Sequence, residues 1–493
     1  MNKLNLIKIF KTFSKSDMSE FDKFIRSPFY NNQSTLVRLF RQIKKFYPGF
    51  ESKKFNYSSL FSSVNPGKPY NSLLFRKYIS NLTKLAEKYI YTMKFSNNKM
   101  KSDLTLLEYY ENTGLSNLYL KKDKEISDMS FKKEKISLDY PVNKITHLEI
   151  NYNFLTRNHG IEDQFRIKSL DLILKNDLYV FINFLFYFAN NLRKLYMYKY
   201  YFDISETSVI FNKLFSLIRI EDLEILEKQC SGNDKMFLKL IKFDIMMSTE
   251  NFDDITLRNM RKTVFECSDI LNNNLLYYYF ARMNTFCSAK RTSKNEYYNR
   301  ILFENYKHML EMDLFFTEGI RKLNMSEYQG IIYFALKAKE FEWTENFIAK
   351  CKNQELVLDH ENVELYSLAL LSYYKEEYEN CINYSSKVNL KNFFLRFGLS
   401  KITLKAMYEL NYLEMADKYA KNYKRFIQSQ PGIIEDFRLK ELKFLEYFNL
   451  LIHKKKDPDK FIPKNFMSKL GSESETKSNE WIIEKFNILL KAA

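Results

Sequence analysis

Apolar positions along this chain recur at steps of three and four rather than two, a period that predicts helices. Met18, Phe21, Phe24 and Ile25 fall at that spacing, and Asp17 with Glu20 reads as a capping arrangement at the start of their helix. Ser27-Pro28 ends it, because proline pushes the residue before it out of the α region. A second helix, about Ser34 to Tyr47, sets Leu36, Leu39, Phe40, Ile43 and Phe46 on one face and stops at Pro48-Gly49. After the loop Asn65-Pro66-Gly67-Lys68-Pro69, a longer helix from about Asn71 to Met93 is read as burying Leu74, Tyr78, Leu82, Leu85 and Tyr89. Residues 1–99 are thus predicted to close a small helical bundle.

From 100 to 330 amphipathic segments alternate with polar breaks near Tyr140-Pro141, Asn158-His159-Gly160, Cys230-Ser231-Gly232-Asn233 and Ser293-Lys294-Asn295, without a clean repeat. The longest apolar run, Leu178 to Ala189, is interrupted by Asn183 and falls short of the roughly 20 residues a spanning helix needs. It is read as a helix buried in protein, so no membrane is expected.

Between 330 and 425 a period appears. Trp343-Thr344-Glu345-Asn346, Tyr378-Glu379-Asn380-Cys381 and Leu413-Glu414-Met415-Ala416 recur every 35 residues, each opening a second helix after a short polar turn. In the middle copy Leu365, Leu368, Ala369 and Tyr373 line the first helix, and Tyr378, Cys381, Ile382 and Val388 the second. This stretch, Glu364 to Leu390, resembles a tetratricopeptide repeat, in which a large aromatic opens the second helix and a small residue three positions later lets the paired helices approach. Asn346 and Ser372 depart from that pattern, and no proline closes the units. The resemblance implies helical hairpins over 331–455, stacked as an α-solenoid whose concave surface takes an extended or helical peptide. Phe21 to Asn31 is similar to the start of large helical bacterial proteins of unassigned role, which implies no activity. Residues 456–493 are read as a linker, polar at Gly471 to Asn479, and a capping helix from Trp481 to Leu490.

Composition sharpens the fold class. The 493 residues hold 10 Gly and 8 Pro, about 2% each against a typical usage of about 7% and 5%. Neither Asn-Gly nor Asp-Gly occurs, so the tight turns that reverse strands are missing. The expectation is all-α: a small N-terminal helical bundle followed by the solenoid. Five cysteines, Cys230, Cys267, Cys287, Cys351 and Cys381, form no Cys-x-x-Cys pair and sit in helical patterns, which points to buried thiols in a reducing, cytoplasmic setting. Lysines 3, 8 and 11 interrupt the opening segment before a secretory signal can form.

Charge divides the chain. Residues 1–99 carry 19 Lys and Arg against 5 Asp and Glu, a balance of +14 out of the total of +17. Arg38, Arg41 and Lys45 lie opposite the apolar face of the second helix, and Lys77, Lys84 and Lys88 opposite that of the longer one. Such stripes track phosphates in nucleic-acid-binding proteins. Amphipathic helices in a lysine-rich chain also put lysine on the wet face, and a coding bias toward A and T would supply both the lysines and the 17% aromatic content.

Candidate chemistry is sparse. The five histidines are far apart and make no metal-ligand spacing, and neither a Gly-x-Ser-x-Gly elbow nor a phosphate-binding glycine loop is present. Glu340, Glu342, Glu376, Glu377 and Glu379 read as solvated turns. No catalytic residue, metal ligand or cofactor is therefore assigned. The function expected is a non-enzymatic helical-repeat scaffold that binds a protein partner through the repeat region, whose hairpins pack at Trp343, Asn346, Tyr378, Cys381, Leu413 and Ala416. The alternative is a nucleic-acid-binding protein using the basic bundle.

Overall fold

The computed structural model describes residues 4–131, 135–158, 163–202, 213, 216–248, 253–290, 296–316, 322–354, 356, 357, 360–389, 393–430, 435–457, 459 and 480–492. The chain is all-α. Among the described residues about 81% are helical, with 22 α-helices and no strand, and one parallel bridge joins Ile136 to Leu271. It forms two compact units, residues 1–279 with 317–320 and residues 280–316 with 321–493.

In the first unit α1 (Asn5–Thr12), α2 (Lys15–Arg26), α3 (Ser34–Lys44), α4 (Tyr57–Val64) and α5 (Ser72–Asn97) share one core. Helix α2 starts at Ser14, not at Asp17: the Ser14 hydroxyl accepts the Asp17 amide at 3.0 Å and the Asp17 carboxylate accepts the Ser14 amide at 2.8 Å, a reciprocal cap. It ends before Pro28 as the sequence predicts. Helix α1, hidden in the sequence by its lysines, buries Leu6, Ile7 and Phe10 completely. Helix α5 is rotated from the expected face: Phe75, Ile79, Leu82, Ala86 and Tyr89 are buried, while Leu74, Tyr78 and Leu85 are only partly so. Both sets have helical spacing, and the large Phe75 ring decides which stripe faces the core.

The unit continues through α6 (Lys99–Asn112), α7 (Ser116–Glu125), α8 (Tyr140–Asn158), α9 (Asp163–Phe202), α10 (Ile220–Gln229), α11 (Gly232–Met246) and α12 (Asp254–Glu266). Tyr140-Pro141, read as a break, opens α8 instead, since proline tolerates the first helical turn. The breaks at His159-Gly160 and Ser293-Asn295 lie outside the described residues. Asp234 on α11 accepts hydroxyl protons from Tyr140 at 2.6 Å and Tyr179 at 2.7 Å, which pins α8 and α9 to α11. The run Leu178 to Ala189 is not buried all round. Ile182, Leu185 and Phe186 face the core, whereas Val180, Phe181, Phe184 and Tyr187 face outward. Gln164–Leu195 is, by length and composition, long and apolar enough to cross a membrane.

Helix α13 (Asn273–Lys290) carries the boundary between the units. The second unit holds α14 (Glu296–Glu311), α15 (Met325–Lys337), α16 (Phe341–Asn353), α17 (His360–Tyr374), α18 (Tyr378–Lys387), α19 (Phe393–Glu409), α20 (Leu413–Ser429), α21 (Glu435–Lys456) and α22 (Glu480–Ala492). Each of α14 to α20 packs on the next, and α15 on α17 and α17 on α19.

The junctions after α15, α17 and α19 are one turn repeated, the same that closes α14 at Asp313, where the Leu314 amide reaches the Met309 carbonyl at 2.9 Å. After α15, α17 and α19 the residues Lys339, Glu376 and Asn411 take φ of 62, 64 and 60°, and the amides of Glu340, Glu377 and Tyr412 reach back to Ala335, Ser372 and Met407 carbonyls at 3.0, 2.8 and 2.8 Å. This six-to-one closure usually takes glycine at the left-handed position, as Gly114 does in the matching turn between α6 and α7. Left-handed backbone strains a residue with a Cβ, while glycine adds entropy to the unfolded chain. Glu376→Gly is accordingly expected to raise stability by about 0.5 to 1 kcal/mol in urea unfolding. Loss of stability would mean the Glu376 side chain holds the turn.

Candidate functional site

The repeated turns fix the register of the hairpins. Their second helices open at Phe341, Tyr378 and Leu413, so the spacing is 37 and then 35 residues. Three residues into each stand Thr344, Cys381 and Ala416, all fully buried. In the first copy the small, close-packed position is therefore Thr344 and not Asn346, which is exposed, and the opening aromatic is Phe341 and not Trp343. The Thr344 hydroxyl is satisfied by donating to the Glu340 carbonyl at 2.7 Å, which lets a polar residue occupy the tight site. Trp343 packs beside it, stacked on Phe347 at 5.2 Å and edge-on to Phe303 at 5.0 Å. Tyr378 and Leu413 are half-buried. Ala416→Phe is expected to overpack the α19 and α20 pair by about 1 to 3 kcal/mol in thermal unfolding, and an unchanged midpoint would refute the register.

Burial pushes the Cys351 and Cys381 thiols up to about 12 and Cys267 to about 11, so all three stay protonated at neutral pH. Among the described residues no group of three His, Cys, Asp or Glu side chains is placed to hold a metal ion. A cavity of about 450 Å³ lies by the first two turns, lined by Glu296, Lys337, Lys339, Tyr374 and Glu376. Its charges are partly paired, Lys339 lying 3.5 Å from Glu296.

A larger assembly forms where α22 lies on α19 and α21. Ile482 and Phe486 are fully buried with Phe444, Phe448 and Ile452. The Trp481 ring meets Tyr408 edge-on at 5.2 Å and stacks near Phe448 at 6.2 Å, and its indole nitrogen donates to Glu409 at 3.0 Å. Lys485 also reaches Glu409, at 2.9 Å. Lys405 lies 5.3 Å from the Trp481 ring, and burial, then Lys401 and Lys337, push it down to about 7, opposed by Glu480 and Glu484. Glu484 also helps to raise Tyr373 of α17, after burial, Tyr378, Glu409 and Cys381.

No family model matches the chain, and no curated protein or solved structure does. Any function must be argued from its own surfaces.

At the N-terminal end the structure places Arg38, Arg41 and Lys45 of α3 and Lys77, Lys84 and Lys88 of α5 on the exposed sides of their helices. Arg38 reaches only Thr35 at 3.5 Å, Lys45 bonds Gln42 at 2.8 Å, and Lys88 sits 5.1 Å over the Tyr30 ring. Of the bundle's basic residues, Arg26 and Lys44 are engaged with Asp22 instead. The sequence reading expected a capping helix over Trp481 to Leu490 but not the residues it meets, Tyr408, Glu409 and Phe448. Its one signal was the pair Trp481 and Phe486 with Ile482 between them, one apolar face on the last helix.

Proposed function

We propose that the second unit is a tetratricopeptide-like α-solenoid and that the protein is a non-enzymatic scaffold whose partner presents an amphipathic helix. The reading rests on α22. A helix of 13 residues, joined to α21 through residues 457–479, is held by an aromatic and two apolar anchors, with its acidic residues near Lys405. This is how helix-in-groove recognition works: anchors on one face supply affinity, and flanking charge supplies register. The uniform turns after α15, α17 and α19, and the packing of α15 on α17 and α17 on α19, support a stacked arrangement of hairpins. Five cysteines without a disulfide fit a cytoplasmic setting.

The test is a pull-down with the full chain, run with and without nuclease, beside the variant Trp481→Ala/Phe486→Ala that loosens α22. A protein partner is expected to survive nuclease and to be captured several-fold more by the variant. Material that disappears with nuclease would instead favour nucleic acid on the Arg38, Arg41 and Lys45 face.

A further inference from the structure

Helix α9 presents a second surface, on the first unit and independent of the repeats. Ile167, Leu170, Leu174, Asp177, Phe181 and Phe184 recur at alternating steps of three and four, and all are exposed. Val180 and Tyr187 widen the stripe, also exposed. The opposite side of the same helix is committed: Tyr179 bonds Asp234, and Phe186 packs on Phe237 at 5.6 Å. The outward stripe is therefore not a side effect of a loosely docked helix.

Alternating steps of three and four are the spacing that brings one helix against another, because 3.5 residues per turn keeps the seam on one side. Ile167, Leu170, Leu174, Val180, Phe181, Phe184 and Tyr187 stand between 38 and 71% exposed along one side of the helix, an apolar patch of the kind that marks an interaction site and long enough to serve as one partner's share of an interface. Two alternatives fit less well. A bilayer-spanning α9 would have to abandon Asp234 and the packed side, and a lipid surface would have to take Asp177 at the centre of the stripe.

We infer that α9 is a homodimer interface, in which the stripe of one copy packs on the same stripe of a second copy across a two-fold axis. The pairing is antiparallel. A parallel one would stack Asp177 on its own copy, whereas an antiparallel one sets it opposite Leu174.

Analytical ultracentrifugation of the full chain tests this. A dimer is expected at roughly 10 μM, and Phe181→Glu/Phe184→Glu should give a monomer with an unchanged circular dichroism spectrum, the positions being exposed. Leu170→Lys/Leu174→Lys, at the other end of the stripe, should do the same, and Asp177→Leu should tighten the dimer about tenfold or more. A wild-type chain that stays monomeric up to roughly 100 μM overturns the proposal, as does a dimer that both charge variants leave intact. A monomer that co-sediments with anionic phospholipid vesicles overturns it in favour of a lipid surface.

Discussion

Phe21→Ala is expected to destabilise the first unit by about 3 to 5 kcal/mol, the range for deleting a fully buried ring whose site cannot collapse. Phe21 has no exposed surface and stands among Phe10, Phe13, Phe24, Phe40 and Tyr89, with centroid separations from 4.9 Å to Phe40 to 6.2 Å to Phe24. These rings come from α1, α2, α3 and α5, so the vacated space opens onto four helices at once. Both tryptophans, Trp343 and Trp481, belong to the second unit, so the loss should be read by amide hydrogen exchange in α1 to α5 and not by tryptophan fluorescence. Phe21→Leu, which refills most of the volume, should cost less than about half as much. Equal protection in the wild type and Phe21→Ala would mean that this cluster does not hold the bundle.

Glu441→Ala carries the second large effect, about 3 kcal/mol or more against the second unit. Glu441 is almost wholly buried on α21, accepting Lys401 of α19 at 2.6 Å and the Tyr423 hydroxyl of α20 at 2.8 Å. Removing the carboxylate leaves a desolvated ammonium and a phenol without their partner, and breaking a buried pair from one side typically costs about 3 to 5 kcal/mol. Lys401 keeps some solvent access, which sets the expectation at the lower end. Glu441→Leu/Lys401→Met should recover most of the loss, because no charge is then stranded. Trp481, stacked near Phe448 of α21, reports the transition by fluorescence. Alkali bears on the same triad. Burial, and after it Glu441, raise the Tyr423 phenol above its ordinary 10.0, so the folded state keeps a proton that the unfolded state releases. Tyr423 should cost nothing below pH 10 and weaken the unit as pH climbs past it, and Tyr423→Phe should remove that slope.

Much of the first unit was legible because its signals are local. Pro28 stops α2 by a clash with its own neighbour, and Leu36, Leu39, Phe40 and Ile43 make one stripe with no competitor. Where two stripes of equal spacing competed, as on α5, the sequence could not choose, since the choice depends on the partners the Phe75 ring finds in the fold, Tyr57, Phe61 and Tyr70. The hairpin register slipped for a different reason. A left-handed residue ends α15, α17 and α19, but Lys339, Glu376 and Asn411 fill it where glycine would have marked it, and the first repeat carries two residues more than the second. Trp343 then attracted the reading that belonged to Phe341. Nothing local announced which residues would seat the capping helix α22, or the outward face of α9. Both depend on which side of an apolar helix its neighbours cover.

The order of α21 and α22 along the chain orders events during synthesis. In the second unit, from α14 to α21, helices in substantial contact are neighbours or next neighbours along the chain, so each hairpin can close as soon as it emerges, with little loop entropy to overcome. The surface of α19 and α21 is complete once the chain through Lys456 is free to fold, whereas Trp481, Ile482 and Phe486 follow it. At about 5 to 20 residues per second, the stretch from Asp457 through Ala492 follows over roughly 2 to 7 s. During that interval a nascent chain offers a seat not yet filled by α22, so a partner made nearby meets that surface before α22 can take it.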